Sequence, residues 1–134
     1  MYKFRMSIGD WSNDGHGKHE DFVVESNAPV EVVREAHFVI KDVTGINIEK
    51  ICRDYEDSSV PEEIVDELKD IGFEFECPGG TYPEEMANLW IFLLQKANPV
   101  LELKIIKDKI PTLHFYGFDE KKRHISFVGY GLFE

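Results

Sequence analysis

"TYPEEMANLWIFLLQKA", residues 81–97, decides the fold. Met86, Leu89, Trp90, Leu93 and Leu94 recur at three- and four-residue spacing and make one helical face, while Ile91 and Phe92 add a second. A helix that is apolar on most sides has to be covered on most sides, so the segment over about 83–97 is expected to be the central core helix. Its start carries a capping side chain two residues before a proline, then two acids, and "NAPVE" (27–31) and "SVPEE" (59–63) repeat that chemistry. The capping oxygen accepts from free backbone N–H groups, proline has none to leave unsatisfied, and the carboxylates meet the positive helix end.

Working outward, a helix is expected over about 29–43, with Val32, Val33, Ala36, Val39, Ile40 and Val43 as its stripe and Thr44-Gly45 as its stop. A short helix near 48–55 would present Ile48, Ile51, Cys52 and Tyr55, and another over about 60–71 would bury Ile64, Val65, Leu68 and Ile71 before Gly72. Strands flank this helical middle. "YKFRMSIGDW" (2–11) alternates Phe4, Met6 and Ile8 with Lys3, Arg5 and Ser7, the pattern of a half-buried strand, and "FVVES" (22–26) is its return partner. After the core helix, "VLELKIIK" (100–107), "TLHFYGFD" (112–119) and "HISFVGYGLF" (124–133) are rich in β-formers and are separated by turn signals at "DKIP" and "DEKKR". The expected fold is α+β: an N-terminal β-hairpin, about four helices and a C-terminal three-stranded antiparallel meander, forming one sheet with helices packed on one face. All of 1–134 forms one domain in this reading.

Composition narrows the function classes. No apolar run approaches the ~20 residues of a membrane span. Met1 leads straight into a strand pattern with no secretory signal, and Cys52 and Cys77 are the only cysteines, so a reduced, cytoplasmic setting is expected. Fifteen Lys/Arg against 26 Asp/Glu leave a net charge of −11. Such a field repels phosphate backbones and anionic membranes and draws in a basic partner, with "DYEDSSVPEEIVDE" (54–67) as a source of steering. The plain alternative is a charged surface that keeps a small domain soluble.

One candidate site is the connection "DWSNDGHGKHED" (10–21). Asp10, Ser12, Asp14, Gly15 and Asp21 fall at positions 1, 3, 5, 6 and 12 of a calcium-loop pattern, where hard oxygens surround a sharp glycine turn. Ser12, Lys18 and the short Asp21 depart from that pattern, and the flanks are strands rather than helices. His16 and His19, with Asp14 nearby, suit zinc, although a His-x-x-His pair supplies two ligands where a site needs three or four. The competing reading is a polar hairpin loop built on Asn13-Asp14-Gly15 turn chemistry.

Cys77 in "FECPGGTYP" precedes a helix start, where a thiol pKa can fall far enough for nucleophilic work; otherwise it is a small residue ending a strand. A metal- or thiol-dependent enzyme on the 10–21 loop or Cys77 is therefore the second function class. The first is a non-catalytic binding or self-associating module. If Leu113 and Phe115 share a face with Ile125 and Phe127, then His114, Tyr116 and Phe118 share the other with His124, Ser126 and Tyr130. That aromatic, amphipathic face would be exposed and would suit a protein partner or a homodimer. Phe38, on the polar side of the first helix, is expected to be a further anchor beside it.

Overall fold

The computed structural model describes residues 1–9, 19–48, 50–51, 60–76, 83–107, 124–127 and 130–133. Strands β1 (Tyr2–Gly9) and β2 (His19–Ser26) are followed by helices α1 (Val30–Thr44), α2 (Glu62–Asp70) and α3 (Pro83–Ala97), then by β3 (Leu103–Ile106), β4 (His124–Phe127) and β5 (Tyr130–Phe133). The five strands form one antiparallel sheet in the order β3-β2-β1-β5-β4. The chain's first strand is thus its central one. It holds β2 on one side through local pairing and β5 on the other through pairing across the whole chain.

Alternation sets which face is covered. Phe4 lies opposite Val24 and Met6 opposite Phe22, and all four are buried with the helices in one apolar cluster. As its all-round apolar character requires, α3 is the core helix. Met86, Leu89, Trp90, Leu93 and Leu94 are each 0% exposed, and α3 touches α1 and strands β1, β2 and β3. Each such side chain contributes about 1.5–3 kcal/mol of burial, so this one helix anchors the fold. Leu68 brings α2 into the same cluster, with Ile64 and Val65 packed at its margin.

Helix stops follow the expected glycines. Gly45 (φ 77) caps α1 in the left-handed region and donates its N–H to the Lys41 carbonyl at 2.8 Å. Past α2, Gly72 (φ 103) donates to Lys69 and Phe73 donates to Leu68, the paired bonds of a Schellman ending.

The starts differ from expectation. Pro29 and Pro61 themselves occupy the N-cap positions, so Asn27 does not cap α1. Its side chain instead reaches 73 residues along the chain: Nδ2 donates to the Val100 carbonyl at 2.8 Å, and Oδ1 accepts the Glu102 N–H at 3.0 Å. Ser59 and Thr81, the other expected caps, lie outside the described residues. Of the short helix near 48–55, Ile48, Lys50 and Ile51 are helical, and Asn47 Oδ1 accepts the Lys50 N–H at 3.0 Å.

Three strand readings are corrected. β2 begins at His19 rather than 22, because the whole of β1 is paired and carries the ladder outward to Gly9 opposite His19. β3 begins at Leu103 rather than 100, because Asn98 turns the chain first, its carbonyl accepting from Leu101 and its side chain from Val100. The stretch "HISFVGYGLF" is a hairpin, β4 and β5, and not a single strand. Residues 112–119 lie outside the described residues.

Candidate functional site

The hairpin separates residues that a single strand would have grouped. His124 and Ser126 alternate with Ile125, whose partner Leu132 pairs with the buried Met6, so they occupy register positions on the face away from the described helices, here called the helix-free face. Phe127 pairs with Tyr130 and Tyr130 with Ile8, which puts Tyr130 on the helix-covered side. The expected group of His124, Ser126 and Tyr130 is therefore split, because antiparallel partners share a face and Tyr130 pairs with Phe127. His114, Tyr116 and Phe118 lie outside the described residues.

Arg5 and Asp21 sit on the same helix-free face as His124 and Ser126. Across the sheet, one row runs Ile106, Val23, Arg5, Phe133, His124, and the next carries Asp21, Ser7, Gly131 and Ser126. Arg5 was expected on a wet face, yet it is 1% exposed, and Val23 beside it is 3% exposed. Both residues stand at the centre of the five-stranded sheet, and both are withdrawn from water. The Arg5 guanidinium reaches the Asp21 carboxylate at 3.8 Å. Burial lowers the Arg5 pKa, and the Asp21 charge works the other way.

Asp21, a candidate ligand, thus stands in a strand beside a cation, an unfavourable place for a second positive ion. His19 is likewise a strand residue, opposite Gly9. Asp10, Asp14 and His16 lie outside the described residues, as does Cys77. Among the described residues no three His, Cys, Asp or Glu side chains converge.

The other region is α1. Its buried stripe is Val30, Val33, Ala36 and Ile40, rotated from the expected one, which leaves Val39 at 40% and Val43 at 57% exposure. The rotation comes from His37. Its Nδ1 accepts the Trp90 indole N–H at 2.9 Å, and the two rings meet edge to face at 5.3 Å. Trp90 is fully buried, and its N–H needs an acceptor there, so α1 turns to supply one. Burial pulls the His37 pKa down to about 4, which keeps the ring neutral with its proton on Nε2 at neutral pH. Sequence spacing carried a signal for this contact, since His37 is four residues after Val33 and three before Ile40.

Phe38, the expected anchor, is 71% exposed and meets the His37 ring at 5.6 Å in a T-shaped contact. Phe38 belongs to α1, whereas His124 and Ser126 take register positions on the sheet face away from the described helices, so the fold does not group them on one face. A surface hollow of about 300 Å³ is lined by Phe92, Gln95, Lys96 and Pro99. Its polar groups already serve the fold: Gln95 accepts the Leu103 N–H at 2.9 Å, and Lys96 Nζ lies 5.4 Å from the Phe92 ring centre. Compared with protein-family models, with characterised proteins and with solved structures, the chain finds no match.

Proposed function

We propose that this chain is a non-catalytic protein-binding module and that it meets its partner on the outer face of α1. One observation carries the reading. Phe38, Val39 and Val43 are exposed on a helix whose core stripe is already complete. Single exposed apolar residues are ordinary, but one outer helix face here carries three within six positions, Val39 and Val43 adjoining each other and Phe38 across the acidic residues between them. Phe38 also meets the ring of His37, which the Trp90 hydrogen bond holds in place, so the anchor stands beside a fixed part of the core. The closed centre of the helix-free sheet face, at Arg5 and Val23, favours α1 over the sheet as the docking surface.

Selection of random displayed peptides against the immobilised protein tests this. Binders are expected whose affinity falls about thirtyfold on Phe38→Ser, the loss of a central anchor, and is unchanged on Val100→Ser. Repeated selection that enriches nothing, or only peptides indifferent to Phe38, would sink the proposal.

A further inference from the structure

We propose that the occupant of the α1 face is an amphipathic helix of another protein, carrying arginine or lysine at two positions seven residues apart beside its apolar stripe. This rests on the docking face proposed above and adds the chemistry of the partner. Between Phe38 on one side and Val39 and Val43 on the other, the helical period of about 100° per residue places Glu31, Asp42 and Glu35, and Glu31 already has an interaction of its own. Glu35 and Asp42 are exposed, and neither meets a cation among the described residues. The cations of this helix, Arg34 and Lys41, fall on the opposite side of Phe38. The face therefore shows two free carboxylates bracketed by apolar side chains, on a chain of net charge −11.

The spacing selects a helix. Glu35 and Asp42 are seven residues apart, about 10.5 Å along the axis, and a second helix alongside repeats its own facing positions at the same seven-residue interval. An extended strand presents same-face residues about 6.8 and 13.6 Å apart, which misses the second carboxylate. A second copy of this chain fits poorly, because an antiparallel pairing of two α1 faces would set Glu35 against Asp42, like charge on like. An anionic lipid surface is repelled for the same reason.

Three synthetic helical peptides with one leucine stripe, and arginine, glutamine or glutamate at the two flanking positions, provide the test by fluorescence anisotropy. The arginine peptide is expected to bind most tightly. It should weaken about tenfold against the Glu35→Gln/Asp42→Asn double variant, with the loss shrinking at high salt. The glutamine peptide should not distinguish that variant from the original protein. The Trp90 indole N–H resonance should shift on binding, since Phe38 contacts the histidine that accepts from it. All substituted residues are exposed, so folding is preserved. If the arginine and glutamine peptides bind equally, with affinities that fall on Phe38→Ser, the partner chemistry is wrong and the docking face stands. If the arginine peptide binds but ignores the double variant, it is held by other acids, and the inference is again overturned. If no peptide binding depends on Phe38, the inference falls together with the docking face.

Discussion

Lowering the pH from 7 to 5 should weaken this fold through one residue, His37. Its folded pKa of about 4 lies below the ordinary histidine value of about 6.5, because burial strips the charged ring of its hydration. Between those two values the unfolded chain binds a proton at this position and the folded chain does not. Stability is therefore full above about pH 6.5, declines as pH falls, and reaches its full loss below about pH 4. A gap of about 2.5 pKa units corresponds to about 3 kcal/mol, of which about 2 kcal/mol is lost by pH 5. In urea, with a slope of about 1.5 kcal/mol/M, that moves the unfolding midpoint down by about 1.3 M.

His37→Gln isolates the effect. Glutamine keeps an acceptor for the indole N–H but does not titrate, and the other four histidines are common to both proteins. The original protein should lose about 1.3 M of midpoint between pH 7 and pH 5 beyond whatever the variant loses. Parallel midpoints, differing by less than about 0.3 M across that range, would refute the argument.

Three further outcomes follow from the packing. Gly45→Ala should cost about 1 kcal/mol in thermal or urea unfolding, because φ is 77 while nothing lies within 4 Å of an added Cβ, and Gly45→Asn should cost less. Asp21→Asn should destabilise by about 2–3 kcal/mol by removing a carboxylate charge that faces the buried Arg5, and pairing it with Arg5→Met should recover part of that loss; a double variant worse than the sum of the singles would contradict it. Asn27→Ala should speed hydrogen exchange at the Glu102 amide at least tenfold while leaving the Leu93 amide unchanged, because the side chain ties only the approach to β3; equal protection in both proteins would show the tie to be idle.

Much of the architecture was legible locally. The all-round apolar pattern of 83–97 marks the core helix, the alternation of Phe4 and Met6 marks a strand with one covered face, and Gly45 and Gly72 mark helix ends. Each is a short-range pattern, set by residues within a turn or two of one another. What failed depended on partners far along the chain. The Asn27 side chain has a cap-like spacing before Pro29 but is claimed by the carbonyl and N–H of residues 100 and 102. The α1 stripe is rotated because a tryptophan 53 residues away needs an acceptor. The pairing of β4 with β5 gives Tyr130 a register position on the face away from His124, and period-two counting carries no information about where a β-rich run divides into two strands.

The candidate site divides the same way. Phe38 as an exposed aromatic, and the acidity that argues for a basic partner, could be read from the residues themselves, because helical period and charge are local properties. That Arg5 lies closed in beside Asp21, that β1 is central rather than peripheral, and that Val39 and Val43 join Phe38 at the surface were decided by tertiary structure alone. Burial belongs to the assembled sheet and helix layers: whether a residue meets water depends on which segments come to lie over it, and that choice is made by pairing between residues more than a hundred positions apart, such as Met6 and Leu132.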